Sequence, residues 1–121
     1  MAFEIEEIPA KAKLFRRIPR LLIVEGGKVS SAAYSHERMS VNWEKYSTPA
    51  TTAGNESDIV TALISGDCIA LKLTVEHTPT QEGEPYGPNQ AHTEVCGKKT
   101  GSVKNKLRDM AQVVWTRNPQ A

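Results

Sequence analysis

Cysteine is scarce: Cys68 and Cys96 are the only two. That is too few for a disulfide framework, and they lack the paired spacing of a zinc site. Long apolar runs are missing too, so no segment reaches membrane-spanning length. The opening Met-Ala-Phe-Glu-Ile-Glu-Glu is acidic, unlike a secretory signal. Without such a signal, the glycosylation pattern Asn55-Glu56-Ser57 carries no weight. Net charge is only +1, which excludes a global field drawing the chain to nucleic acid or anionic lipid. There is no internal repeat and no low-complexity tract. These absences lead to the expectation of a soluble, cytoplasmic domain with inert free thiols and no membrane, metal or cofactor.

What is present is ordinary in amount and uneven in placement. The 121 residues suit one domain, 1–121, burying roughly two-thirds of its unfolded surface. Residues 1–12 are charged, aperiodic and broken by Pro9, and read as a flexible arm. Between His36 and Val95 acids outnumber bases, whereas Lys98, Lys99, Lys104, Lys106, Arg108 and Arg117 meet only Asp109 after Gly97. The chain has an acidic middle and a basic end.

The organising stretch runs from Asp67 to Thr100. In 68–76, Ile69, Leu71, Leu73 and Val75 alternate with Cys68, Ala70, Lys72, Thr74 and Glu76, which predicts a half-buried strand. Residues 91–96 alternate again, so the two read as a hairpin joined by a long loop, His77 to Gln90, stiffened by proline. Loops of that length are usually functional or disordered. Upstream, Leu14 to Ile18 reads as a strand ended by Pro19, and Met39 to Trp43 as another. A turn is marked by Gly26-Gly27. Val29 to Tyr34 fits a strand or an irregular segment, and Thr48 to Gly54 a loop of small residues. Asn55 or Ser57 is expected to cap a helix through Ile64. Ser102 is expected to cap a second helix reaching about Arg117, with Val103, Leu107, Met110 and Val114 as its apolar stripe. Trp43 and Tyr46 read as core or rim.

The predicted fold class is α+β: a small, mainly antiparallel sheet with the C-terminal amphipathic helix packed on one face.

Three groups of residues invite chemistry. His77 and His92 bracket the loop as candidates for metal binding or shared acid–base work, with Glu76, Glu82, Glu84, Asn89 and Glu94 within reach in sequence. Strand parity puts the two rings on opposite faces, although a twisted strand end can cancel that, and the plainer reading is that each orders the loop. The segment 97–102 brings glycines, lysines and hydroxyls to a helix start, where backbone N–H groups favour anions. It does not meet the phosphate-loop pattern, since His92 stands where its first glycine would fall. Trp115 is the one aromatic nearby, too few for base stacking. Finally, Arg16-Arg17 on an early strand, Ser30-Ser31 later and Glu94 after them match in order the residue types of ADP-ribosyl-transferring folds. The plainer reading is a basic edge that discourages aggregation.

The pieces Leu14 to Ile18, Gly27 to Tyr34, Met39 to Val41, Asn89 to His92 and Val95 to Lys98 resemble a family of small uncharacterised bacterial proteins. The resemblance implies a compact bacterial cytosolic domain and directs attention to Arg16, Arg17, Ser30, Ser31, Asn89 and His92. It transfers no activity. The leading expectation is an accessory module that binds a protein or nucleic acid through His77, Asn89, His92, Lys98, Lys99, Lys104 and Arg108. The alternative is a small enzyme acting on a nucleotide or phosphate-bearing substrate, with Arg17, Ser30 and His92 as its catalytic candidates.

Overall fold

The computed structural model describes residues 3–24, 26, 28–55, 57–81 and 88–117. Glu82 and Glu84, named above as potential ligands, lie outside the described residues. Eight strands and three α-helices follow in chain order among those described: β1 (Lys13–Ile18), β2 (Ile23–Val24), β3 (Lys28–Val29), β4 (Arg38–Trp43), α1 (Pro49–Ala53), β5 (Ile59–Ile64), α2 (Ser65–Ala70), β6 (Thr74–His77), β7 (His92–Cys96), α3 (Gly101–Met110) and β8 (Gln112–Thr116). Short 3₁₀ turns cover Arg20–Leu22 and Ser31–Tyr34. The six-stranded sheet runs β6-β7-β4-β1-β5-β8 with every neighbouring pair antiparallel, and β2 with β3 forms a separate ribbon. This is the expected α+β class, with α3 on one face of a mainly antiparallel sheet.

Alternation along the strands builds the two faces. Leu14, Ile18, Met39, Val41, Trp43, Leu63 and Val95 are buried on the first face, beneath Tyr34, Cys68, Leu73 and Leu107. Phe15, Val60 and Ala62 point the other way, and α1 seats Ala53 on them with Trp115 at the margin. The helices therefore cover the first face broadly and the second face only over β1, β5 and β8. The second face of β4, β7 and β6 stays polar, carrying Ser40, Arg38, Glu94, His92 and Glu76. Among the described residues no helix is long and apolar enough to cross a membrane.

Several elements differ from the sequence expectation. The helix expected to end at Ile64 is strand β5, whose Val60, Thr61, Ala62 and Leu63 are all buried. A strand covered on both faces shows a continuous apolar run rather than alternation, and such a run cannot be told from a buried helix by period. Ser57 caps no helix: its hydroxyl lies 3.0 Å from the Ile18 carbonyl and 3.2 Å from the Ile18 N–H.

The strand expected over 68–76 is helical in its first half. Helix α2 starts at Ser65, where the Gly66 N–H donates to the Ala10 carbonyl at 2.7 Å and a Cβ on Gly66 would lie only 3.0 Å from that oxygen. Asp67 in the first turn suits the positive end of that helix. Lys72, at φ 70°, reverses the chain into the shorter β6. Thr48 to Gly54 is not a loop but contains α1, with the Thr48 hydroxyl accepting from Thr51 N–H and Pro49 at the first helical position.

The C-terminal helix is shorter than expected. Its cap is Thr100, not Ser102, and it ends at Met110, where Ala111 turns extended. Strand β8 follows, so Val114 lies on a sheet edge and leaves the stripe. Between β7 and α3, Gly97 adopts φ +133°, and a Cβ there would lie 2.8 Å from Leu73. Only glycine fits that corner.

Candidate functional site

The second face carries an open cleft of about 390 Å³ between α1 and the returning end of the 77–90 loop. Asn42 on β4 and Arg17 on β1 form its floor, Thr51, Thr52 and Asn55 one wall, and Pro88 with Asn89 the other. Strand parity puts Arg17 and Asn42 there, on the same face as Phe15. The neck of the loop continues the β6–β7 ladder, with Thr80 and Asn89 exchanging both backbone hydrogen bonds. That ladder fixes where Asn89 stands.

A chain of side-chain hydrogen bonds crosses the floor. Ala91 N–H donates to Asn89 Oδ1 at 3.1 Å, and Asn89 Nδ2 donates to Asn42 Oδ1 at 2.9 Å. Asn42 Nδ2 then donates to Thr52 Oγ1 at 3.1 Å, which lies 3.0 Å from Ser47 Oγ. Arg17 Nε donates to the Thr52 carbonyl at 2.8 Å, tying β1 to α1. Among the described lining residues there is no carboxylate, imidazole or thiol. Asn42, Ser47 and Thr52 escaped the sequence analysis because hydroxyls and amides carry no motif. The Thr48-Pro49 helix start was the available signal.

The two histidines part company. His77 is buried on the first face, its ring edge-on to Trp43 at 5.3 Å and stacked on Tyr46 at 6.2 Å. Glu6 N–H donates to its Nδ1 at 2.9 Å, so Nε2 carries the proton and donates to the Gln90 carbonyl at 2.7 Å. His92 faces the opposite side of the sheet, opposite Asn42. Its Nδ1 donates to the Thr78 carbonyl at 2.9 Å, and its Nε2 lies 3.3 Å from Ser40 Oγ. Both rings therefore order the loop neck from opposite faces. Among the described residues no group of three His, Cys, Asp or Glu side chains is placed to hold a metal.

Arg17, Ser30 and His92 are not gathered into one cleft. Ser30 caps the 3₁₀ turn on the first face by accepting from Ala32 N–H, whereas Arg17 and His92 point to the second. Glu94 is engaged by Arg38 Nη2 at 2.7 Å. Arg16 is structural: its guanidinium donates to the Ala33 carbonyl at 3.1 Å and the Ser40 carbonyl at 2.8 Å. Those bonds lie just past Phe15, where pairing of β1 with β4 stops.

The basic segment is also divided. Lys99 is buried, and its ammonium donates to the carbonyls of Glu37, Val95 and Gly97 at 2.9, 2.7 and 3.0 Å. Burial pulls its pKa below the ordinary lysine value. Lys104 is half-buried, Lys98, Lys106 and Arg108 exposed, and Arg108 Nε contacts Asp109 at 3.1 Å. Helix α3 lies on the first face, so its basic side chains and the cleft are separate surfaces.

Among the described residues, the chain is a small α+β fold with a polar cleft beside a shielded loop neck. Comparison with protein-family models, curated proteins and solved structures found no match.

Proposed function

We propose that the chain is a non-catalytic binding module whose recognition site is the cleft between α1 and Pro88–Asn89. The observation that supports this is the lining: three amides, several hydroxyls and a guanidinium, with no carboxylate, imidazole or thiol among its described residues to activate a hydroxyl or carry protons. Such groups orient a ligand by hydrogen bonding. The volume falls in the range of small-molecule sites, about 300–1,000 Å³. Lys98, Lys104 and Arg108 offer a second surface for an acidic protein or nucleic acid. Two free cysteines suit a reducing, cytoplasmic setting.

The test is to purify tagged protein from a bacterial lysate, denature it and identify the released small molecules by mass spectrometry. Wild type is expected to release a species that folded Asn42→Ala retains about tenfold less, a loss of roughly 1.4 kcal/mol. That species should stay chemically unchanged when incubated with fresh protein. Its conversion would replace the module with an enzyme, and a wild type that retains nothing would remove the cleft from consideration.

A further inference from the structure

From the valences left open in the cleft we infer that its ligand is a neutral, hydroxyl-bearing molecule of monosaccharide size. This rests on the binding-module reading and narrows it to a chemical class.

Each primary amide offers two N–H donors and a carbonyl acceptor. Asn89 uses one N–H on Asn42, and Asn42 uses one on Thr52. Each therefore keeps a second N–H for a ligand at the floor, where Asn42 is only 8% exposed. Asn55 adds a whole exposed amide at the rim. Beside these fixed donors stand hydroxyl rotors. Ser47 and Thr52 face each other at 3.0 Å, with either able to donate, whereas Thr48 Oγ1 donates to Thr51 Oγ1 at 2.9 Å. The Ser47–Thr52 proton order can reverse to suit what arrives.

A sugar hydroxyl both donates and accepts, so it can satisfy a spare amide N–H and a hydroxyl rotor together. Carboxylate and phosphate oxygens only accept, and their recognition favours charge-assisted, bidentate arginine contacts. Arg17, the one cationic residue of the described lining, already spends its Nε on the Thr52 carbonyl. Cationic ligands would need a carboxylate, and the described lining has none. The flanks are apolar: Ala53, Pro88 and the Tyr46 ring, whose hydroxyl is held by Glu6. A pyranose pairs such C–H faces with a hydroxyl rim.

The experiment is an NMR titration of the whole chain, read at the side-chain amides of Asn42, Asn55 and Asn89. The probes are single aldohexoses and ribose, then inorganic phosphate and citrate. Saturable shifts of the Asn42 and Asn89 amides are expected with at least one sugar and not with the anions. Asn55→Ala, an exposed rim change that leaves the floor network intact, should weaken that binding about two- to tenfold, the worth of one neutral hydrogen bond. Anions shifting these amides while sugars do not would overturn the ligand class and leave the module standing. Silence of all three amides toward every sugar would overturn the inference. If a single-stranded oligonucleotide then shifted only Lys106 and Arg108, the cleft reading would fall with it.

Discussion

Cys68 and Cys96 show how environment separates two identical side chains. Cys68 is fully buried on the inner side of α2, and burial pushes its thiol up to about 11 from an ordinary value near 9.0. Cys96 is half-buried on the open face, where burial and then Glu76 raise it. Since the thiolate is the reactive form, Ellman's reagent at pH 8 should modify Cys96 in the native protein. Cys68 should react only after denaturation, and two rapidly reacting native thiols would contradict the packing. A thiol raised on folding stabilises fully below its unfolded value and loses that contribution as pH climbs through its folded one. The linked stability is on the order of 2–3 kcal/mol. It should fade between about pH 9 and 11, and Cys68→Ala should flatten that part of the curve.

Elements are decided by partners more than by local pattern. Residues 103, 107, 110 and 114 share one helical stripe in the sequence, yet the helix stops at Met110 because β5 accepts Gln112 to Thr116 as its edge neighbour. The backbone pairing replaces the last helical turn. Leu107 ends fully buried, while Val114 is 39% exposed. Leu107→Ala should therefore cost about 2–5 kcal/mol, whereas Val114→Lys should stay within about 0.5 kcal/mol. Urea unfolding measures both, and a strongly destabilising Val114→Lys would restore the longer helix.

For the whole molecule, sequence-distant charges close the structure. The uneven charge of the chain is folded onto itself: Asp58 of the acidic middle contacts Arg20 at 2.7 Å and Arg117 of the basic end at 3.4 Å. The N-terminal segment is tied down in the same way. Glu6 accepts from Lys45 Nζ at 2.5 Å and from the Tyr46 hydroxyl, and its N–H holds His77. The Lys45 hydrogen bond, followed by that of Tyr46, lowers the Glu6 carboxyl below its ordinary value near 4.5. A carboxyl lowered on folding stabilises above its unfolded value and loses that contribution as pH falls through the folded one. Acid unfolding should show it: Glu6→Gln, which keeps the N–H to His77, should unfold with a shallower pH dependence below about pH 4.5. Unchanged acid profiles would mean the segment is not held by this carboxylate.

The sequence by itself determined the α+β class, β1 with its Pro19 stop, β4, β7 and the presence of a helix carrying Leu107, because each has a half-buried period or a local stop signal. Parity pointed His77 and His92 to opposite faces, but whether strand-end twist brought them together was decided only by the paired register. Tertiary contacts decided the rest. Strand β5 hides its period because both faces are covered, and β8 exists because an edge needed a partner. Lys99 looks like any surface lysine until the distant Glu37 carbonyl joins those of Val95 and Gly97 around it. The cleft was least legible of all. Asn42, Thr52 and Asn89 come from a strand, a one-turn helix and a loop neck, and their amides and hydroxyls acquire meaning only when the sheet sets them side by side.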